Sequence, residues 1–344
     1  MNVDRGRESS FLAESLDDSA DVQEELRTTS MDIRSTRVCS TGSVPRRAHV
    51  TAALAKDFAL WKGDCANFLD VLPNEPIFDL IVTSPPYNIG KSYEQKTGLD
   101  AYLEWQEAVI AKMIPRLRPG GSLCWQVGNH VRGNEVFPLD IEFAPIFKKH
   151  GLRLRNRIIW QFGHGLHNRK RFSGRYEVVL WYTKDGARDD DYTFDLDAVR
   201  IPSKYPGKKH FKGPNAGRYS GNPLGKNPED VWNIPNVKSN HVEKTSHPCQ
   251  FPVGLIERLV LALTKPGDLV FDPYAGVASA GVAAAVHGRR FWGCELSKEY
   301  VLSGVARIND ALRGEAKYRP HDKELHDHTK EKLAIVPEGF RYAK

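Results

Sequence analysis

Residues 84–87 form a short run, Ser-Pro-Pro-Tyr, whose types and order suit hydrogen bonding to an amino group on a flat ring. The two prolines fix φ and remove two amide donors, so the run is stiff and presents carbonyl acceptors. Ser84 adds a side-chain oxygen, and Tyr87 adds a ring that can stack on a planar ligand. A simple turn is the alternative, because Pro-Pro turns are common. The candidate catalytic residues are Ser84, Pro85, Pro86 and Tyr87.

A second candidate loop lies late in the chain, where residues 271–279 have the sequence FDPYAGVAS. Gly276 allows the backbone to approach a ligand closely, and the small residues after it let a helix begin beside that ligand. Glu295 follows the next expected strand and could accept both hydroxyls of a ribose. An ordinary strand–helix–strand unit with an incidental acid is the alternative. The candidate cofactor contacts here are Phe271, Asp272, Tyr274, Gly276 and Glu295.

Both loops follow apolar runs typical of strands that are buried on both faces, FDLIVT at 78–83 and a shorter run at 268–271. Further strands are expected at 58–62, 122–127, 157–161, 177–182 and 290–294, and helices at 65–72, 102–117, 137–150, 251–263, 277–286 and 300–312. This alternation predicts an α/β fold with a doubly wound, mostly parallel, Rossmann-like sheet. Because such sheets bind ligands outside the carboxyl ends of their strands, the two loops should meet at one edge.

The composition divides the chain into five segments. Residues 1–50 have mixed charge, many Ser and Thr and a single aromatic residue, and are expected to be disordered. Residues 51–183 and 246–312 carry the alternating strands and helices. Between them, residues 184–245 are dominated by Pro, Gly, Lys and Asn, which predicts an ordered, loop-rich insertion. Residues 313–344 form a polar tail without a clear pattern.

Positive charge is concentrated in one part of the chain. The 344 residues include 49 Lys and Arg and 43 Asp and Glu, a net charge of +6. Residues 151–226 hold 16 of the basic residues and 7 of the acidic ones, interleaved with aromatic side chains. Such a segment suits nucleic-acid phosphates, although a solvated surface would show the same pattern. The candidate DNA-binding residues are Arg169, Lys170, Arg171, Lys208 and Lys209.

Several classes of protein are disfavoured by the composition. No apolar run reaches the roughly 18 residues that a membrane helix needs, and the first ten residues do not resemble a secretory signal. We therefore expect a cytoplasmic protein without a membrane partner. The five cysteines, at positions 39, 65, 124, 249 and 294, show no CxxC spacing, which favours free buried thiols over disulfides or a zinc site.

The order of the two loops resembles that of the DNA amino-methyltransferases of the beta group, in which the catalytic half precedes the cofactor half. The resemblance covers about residues 58–308 and implies a methyltransferase that uses S-adenosylmethionine and acts on double-stranded DNA. It implies that Asp64 contacts the cofactor adenine and that HPCQFP at 247–252 holds the methionine end, with His247 and Phe251 as contacts. The basic insertion at 184–245 lies where this group carries its target-recognition region.

A mechanism follows from the resemblance. The exocyclic amino nitrogen of a base is a poor nucleophile, because its lone pair is delocalised into the ring. Ser84 and the Pro85 carbonyl would accept its two N–H groups, and Tyr87 would stack on a base that is flipped out of the duplex. In this family Ser before Pro-Pro more often accompanies cytosine N4, whereas Asp or Asn accompanies adenine N6. Ser84 therefore favours cytosine N4 over adenine N6.

One position departs from the family pattern. The family loop usually has Gly-Ser-Gly-Thr where this chain has Gly-Val-Ala-Ser at 276–279. The second glycine is thus Ala278, and alanine tolerates a positive φ poorly. Either this position does not need a positive φ, or the affinity for the cofactor is lower.

Other functions compete with a DNA methyltransferase. An RNA or protein amino-methyltransferase faces the same chemical problem, but such relatives usually have Asn in place of Ser84 and put the cofactor half first. A nucleotide-dependent oxidoreductase would use the Gly276 loop and leave Ser-Pro-Pro-Tyr without a role. A DNA-binding module without activity would explain the basic insertion alone. The sequence leaves open whether the protein forms a homodimer or acts beside a cognate restriction endonuclease.

Overall fold

The computed structural model describes residues 57–87, 97–132, 135–163, 165, 167–186, 188, 190–238 and 240–336, and the backbone of 37–40. The expected disorder of residues 1–50 therefore lies outside the described residues, except at 37–40. These four residues form an edge strand, β1 (Arg37–Ser40), so the expectation is wrong for them.

A nine-stranded sheet forms the centre of the fold. Besides β1 it contains β2 (Phe58–Lys62), β3 (Phe78–Thr83), β4 (Leu117–Val127), β7 (Arg153–Gln161), β8 (Tyr176–Thr183), β9 (Val231–Asn233), β10 (Leu269–Asp272) and β11 (Arg290–Glu295). The order across the sheet is β1-β2-β11-β10-β3-β4-β8-β7-β9, and a separate hairpin pairs β5 (Asn129–Arg132) with β6 (Glu135–Pro138). Strand β8 is antiparallel to both neighbours, and all other pairings in the large sheet are parallel.

Helices cover both faces of this sheet. They are α1 (Cys65–Val71), α2 (Leu99–Met113), α3 (Leu139–Lys149), α4 (Val253–Leu263), α5 (Ser279–Val286) and α6 (Lys298–Leu312). Helices α1–α3 share one apolar core with Phe78 and Ile81, and α4–α6 share another with Leu80 and Val82. Alternate residues of a strand point to opposite faces, so β3 must be apolar throughout to fill both layers. Within the described ranges, none of the helices is long and apolar enough to cross a bilayer. The fold is the predicted doubly wound α/β sheet.

Several elements begin or end a few residues away from the predicted bounds. The helix expected at 102–117 ends at Met113, because Pro115 lies in a 3-10 turn and the chain then extends directly into β4 at Leu117. The helix expected at 137–150 starts at Leu139, because 135–138 pair with β5. Strand β7 starts at Arg153 instead of 157.

The insertion at 184–245 has little regular structure within its described residues, yet it contributes to the core. Strand β9 pairs in parallel with β7, and its Trp232 is buried. An isolated bridge joins Ile201 to Lys226, and a second one joins Lys209 to Tyr219. Residues 204–224, which we call the projection, are exposed throughout.

The polar tail after α6 packs against α4. Tyr318 Oη donates to Glu257 Oε1 at 2.9 Å, and the His321 N–H donates to Glu257 Oε2 at 2.6 Å. Glu257 lies on α4 and is almost completely buried. Because a buried carboxylate without partners is costly, the tail stabilises α4 by supplying them.

Candidate active site

Strands β3 and β10 are neighbours at the centre of the sheet, and each is followed by a strand on its far side, β4 and β11. The connections that follow the two strands therefore run in opposite directions along the sheet. This leaves a crevice at the carboxyl ends of the two strands, where open α/β sheets bind ligands. The two strands end side by side, and Thr83 Oγ1 donates a hydrogen bond of 2.5 Å to Asp272 Oδ1. The diproline loop and the Gly276 loop therefore leave the sheet from the same point.

A cavity of about 680 Å³ lies between these loops, and both Ser84 and Gly276 line it. Its volume is in the range of small-molecule and cofactor sites. The predicted residues that line it are Ser84, Pro85, Pro86, Tyr87, Asp64, His247, Phe251, Tyr274, Gly276 and Glu295.

Phe271 and Asp272 do not line this cavity, so the structure does not support a cofactor contact for either. Phe271 is completely buried and stacks on Phe78, with ring centroids 4.4 Å apart, because β10 is covered on both faces. The Asp272 carboxyl is also buried and accepts hydrogen bonds from Thr83 and from the Tyr274 N–H, the latter at 3.1 Å. Burial raises the pKa of Asp272 to about 7. Asp272 thus connects the two loops from behind the cavity.

The Gly276 loop and Glu295 lie side by side at one end of the cavity. Gly276 has a φ of +52°, and a side chain there would approach His247 Nε2 to 3.3 Å. Glu295 accepts hydrogen bonds from the N–H groups of Gly276, at 2.9 Å, and Ser297, at 2.8 Å. Burial raises the pKa of this carboxyl, although those N–H groups act to lower it.

Ala278 adopts the left-handed conformation, with φ 56° and ψ 44°. The position therefore does need a positive φ, and the first of the two alternatives considered for it is wrong. Arg307 on α6 donates to the carbonyl of Val277 and, at 3.2 Å, to Ser279 Oγ, so it holds the residues on both sides. A non-glycine residue in this region costs about 1–2 kcal/mol, and Arg307 helps to hold the strained turn.

Asp64 and His247 reach the cavity from two further segments. Asp64 caps α1, and its Oδ1 accepts the N–H of Ala66 at 2.8 Å. His247 Nδ1 accepts the N–H of Cys249 at 3.2 Å, so Nε2 carries the proton of the neutral ring. Burial, followed by the charges of nearby basic side chains, lowers the pKa of His247 to about 4, and the ring is neutral at neutral pH.

At the other end of the cavity, the diproline loop contacts two polar side chains that the sequence did not assign to the site. Tyr87 Oη lies 3.0 Å from Ser84 Oγ and donates to Glu177 Oε2 at 3.2 Å. Gln126 Nε2 donates to the same oxygen at 2.5 Å. The available signal was an acid in the otherwise apolar strand YEVVLWYT. These four side chains form one hydrogen-bonded group.

Aromatic side chains also line the cavity. Trp105 on α2, Trp160 on β7 and Phe162 just after β7 all line it. Tyr102 Oη donates to the Pro86 carbonyl at 2.7 Å and fixes the diproline loop from behind. Flat apolar surfaces beside a few hydrogen-bonding groups suit a planar heterocycle.

The predicted DNA-binding residues lie outside the cavity on two exposed segments. Arg169, Lys170 and Arg171 lie on the loop between β7 and β8, and Lys208 and Lys209 lie on the projection. The loop between β7 and β8 begins beside Phe162 and ends just before Glu177, which both line the cavity. Its basic run is therefore tethered at the cavity.

The thiols are free in the described part of the chain. Cys65, Cys124 and Cys294 are buried as expected, whereas Cys249 is exposed and lines the cavity, so the prediction of burial is wrong for it. The side chain of Cys39 lies outside the described residues. Among the described residues, no group of His, Cys, Asp and Glu is arranged to hold a metal ion.

Sequence comparisons identify related proteins. Residues 78–305 match the N6/N4 family of DNA methylases. The chain is 45% identical over 305 residues to the type II methyltransferase M.BglII of Bacillus subtilis, with coverage of 86% of this chain and 81% of that protein. It is 36% identical over 274 residues to the type II methyltransferase M.ScaI of Streptomyces caespitosus, covering 76% and 87%. It is 31% identical over 259 residues to the DNA adenine methyltransferase YhdJ of Escherichia coli K12, covering 72% and 82%.

Solved structures show the same fold. A complex of the Thermus thermophilus protein TTHA0409 with S-adenosyl-L-methionine superposes with a TM-score of 0.52 at 27% identity, covering 74% of this chain and 96% of that one. The cytosine-N4-specific PvuII DNA methyltransferase superposes with a TM-score of 0.57 over 75% of this chain and 93% of that one, and at 21% identity it supports the fold alone. Site, fold and relatives agree that the chain belongs to the N6/N4 DNA methylase family, the S-adenosylmethionine-dependent enzymes that methylate exocyclic amino groups of DNA bases.

Proposed function

We propose that this enzyme transfers the methyl group of S-adenosylmethionine to N4 of cytosine in double-stranded DNA. The proposal depends above all on the cavity that Ser84 and Gly276 share. One loop offers acceptors for an amino group, and the other offers close backbone approach for a cofactor. Cytosine is proposed because Ser stands before Pro-Pro at position 84.

The residues at the Gly276 end fit S-adenosylmethionine, which supplies an electrophilic methyl group on a sulfonium. Glu295 is placed to accept the ribose hydroxyls, since its carboxyl lines the cavity at the end of β11. We assign Asp64 to the adenine, and His247, Phe251 and Tyr274 to the remaining cofactor contacts. The neutral ring of His247 avoids repulsion of the positive sulfonium.

The diproline loop would prepare the amino nitrogen for attack. Tyr87 donates its proton to Glu177, so Ser84 donates to Tyr87 Oη and keeps its lone pairs for the base. Ser84 Oγ and the Pro85 carbonyl would then accept the two N–H groups and favour a tetrahedral nitrogen. Fixing the nucleophile in this geometry supplies much of the rate gain, and the ring of Tyr87 stacks on the base.

The two basic segments would hold the duplex. Arg169, Lys170 and Arg171 would bind phosphates beside the cavity, and Lys208 and Lys209 would bind them from the projection. We assign target recognition to 184–245, the catalytic half to 51–183 and the cofactor half to 246–312. The target base must leave the duplex to reach the buried loop.

Adenine N6 is a second candidate for the methylated atom. It is favoured by the 31% identity to YhdJ, which is named a DNA adenine methyltransferase. Adenine also presents an exocyclic amino group that the same two acceptors could bind. The two candidates therefore differ in the base alone.

One experiment separates these proposals. The purified protein is incubated with methyl-labelled S-adenosylmethionine and mixed duplex DNA, and the DNA is digested to nucleosides for mass spectrometry. Labelled N4-methylcytosine supports the first proposal, and labelled N6-methyladenine supports the second. Cofactor binding without any labelled nucleoside would overturn both. Ser84→Ala and Tyr87→Ala should lose transfer but bind the cofactor, whereas Ser303→Ala on α6 should remain active.

Two protein partners are also proposed. The names of M.BglII and M.ScaI as type II methyltransferases favour a cognate restriction endonuclease. DNA methylated by this enzyme should then resist one endonuclease of the same specificity. A homodimer stays a prediction, which sedimentation of the protein with and without DNA would test.

A further inference from the structure

We propose that Glu177 binds the flipped base by donating a hydrogen bond to the ring nitrogen next to the amino group. This inference rests on the proposed function, because it assigns a contact within the base end of the same cavity. Ser84 and the Pro85 carbonyl take the amino group, and Glu177 takes its neighbour in the ring. The contact would make Glu177 a determinant of base specificity.

The hydrogen bonds of the carboxyl group define which oxygen can donate. Oε2 accepts from Tyr87 Oη at 3.2 Å and from Gln126 Nε2 at 2.5 Å, which uses both of its lone pairs. A proton on this carboxyl group must therefore lie on Oε1. Glu177 lines the cavity, and Oε1 receives no hydrogen bond from the described residues. Oε1 lies beside Gly128, and we assign the contact with the base to this oxygen.

The surroundings of Glu177 raise the pKa of its carboxyl group and so shift it toward the protonated form. Burial is the largest influence on its pKa and raises it, because a carboxylate loses its hydration there. The titratable and charged groups that face it are Tyr87, on the diproline loop, and Lys238, in the segment after β9. Its neighbours on the adjoining strands, Gln126 and Trp160, are uncharged. Lys238 and the donors to Oε2 act to lower the pKa, but they do not outweigh burial.

The resulting pattern of acceptors and one donor matches two of the four DNA bases. In cytosine the N4 amino group lies beside the acceptor N3, and in adenine the N6 amino group lies beside the acceptor N1. Thymine and guanine present a carbonyl beside an N–H in the corresponding positions. Binding either of them would place acceptor against acceptor and donor against donor in a buried site, which is strongly unfavourable. Glu177 would therefore reject the bases that have no amino group to methylate there.

Two substitutions test whether Glu177 acts as a donor. In Glu177→Gln the amide oxygen can keep the bonds from Tyr87 and Gln126 while the NH₂ group faces the cavity. This variant should methylate DNA nearly as the wild type does. Glu177→Ala should raise KM for DNA about 10- to 100-fold, because a buried hydrogen bond to the base is lost, with unchanged affinity for S-adenosylmethionine. Cofactor affinity and the urea midpoint report folding of each variant.

The pH profile provides a readout that a structural role would not change. A protonated carboxyl group can donate a hydrogen bond, and it loses its proton as the pH rises through its pKa. KM of the wild type for DNA should therefore rise with pH, whereas KM of Glu177→Gln should not, because an amide does not titrate.

A base analogue provides the sharpest comparison. The probe is a duplex with 3-deazacytosine at the target, or 1-deazaadenine if the product is N6-methyladenine. Wild type should prefer the natural duplex over the probe, and Glu177→Ala should show no such preference. Normal KM in Glu177→Ala, or equal damage in Glu177→Gln and Glu177→Ala, would overturn the inference while leaving the proposed function intact. A wild-type protein that transfers no methyl group to any duplex would instead overturn the proposed function.

Discussion

Thr83 and Asp272 are 189 positions apart in the chain, yet a hydrogen bond of 2.5 Å joins their side chains at the ends of neighbouring strands. Each residue directly precedes a loop that lines the cavity. The bond thus fixes the distance between the diproline loop and the Gly276 loop.

Thr83→Val should break this bond and leave the Asp272 carboxyl group with less compensation for its burial. We expect a loss of about 1–3 kcal/mol in the free energy of unfolding, measured by urea denaturation. Cofactor affinity should fall as well, since the two loops lose their connection. Thr193→Val, at a half-buried position in the segment after β8, serves as a control and should change neither quantity. Normal stability of Thr83→Val would show that the bond is unimportant.

The contribution of Asp272 to the stability of the protein should fall as the pH rises from about 4 to about 7. Burial raises its folded-state pKa to about 7, above the ordinary value of 3.8. Its contribution is therefore fully present below the unfolded pKa and is lost as the pH rises through about 7. Asp272→Asn should weaken the dependence of the urea midpoint on pH. An identical slope in the variant would mean that Asp272 does not titrate in this range.

Ala278 is a position where larger residues should fail. Ala278→Gly removes the strain of the positive φ, about 1–2 kcal/mol, but also removes a buried methyl group, about 0.8 kcal/mol. Its stability should stay within about 1 kcal/mol of wild type. Ala278→Val should cost more than about 3 kcal/mol, because β-branched residues hardly adopt this conformation. Urea denaturation and calorimetric titration with S-adenosylmethionine measure both effects, and a stable, cofactor-binding Ala278→Val would contradict them.

The basic run at 169–171 should contribute to the salt dependence of DNA binding. Each of Arg169→Gln, Lys170→Gln and Arg171→Gln should reduce the slope of log K against log salt by about 0.9, if each residue binds one phosphate. Lys265→Gln is a matched control, because Lys265 precedes β10 and so lies at the opposite edge of the sheet from the cavity. Equal slopes for all four variants would exclude the run from the interface.

The sequence predicted the central strands well, because a strand covered on both faces is apolar along its whole length. FDLIVT is apolar throughout and lies at 78–83 as expected. The short strands β1 and β9 were missed, since three or four residues become a strand by pairing with a partner that is remote in the chain. The hairpin of β5 and β6 was also missed, and its last two residues, 137 and 138, were assigned to the helix that follows.

The two loops of the site were predictable because each is a compact local motif. Glu177 and Gln126 were not, because they join the site from β8 and β4 through contacts with Tyr87 that no spacing in the chain reveals. Phe271 was predicted to contact the cofactor because it lies close to the Gly276 loop in the sequence. That closeness did not reveal that its ring packs in the core against Phe78.

The projection leaves and re-enters the body of the protein at one place, the bridge between Ile201 and Lys226. The chain between these residues contributes no side chain to the cavity lining. Its length and composition are therefore not constrained by packing around the cavity. A foreign segment could be grafted between these two positions without removing any residue that lines the cavity.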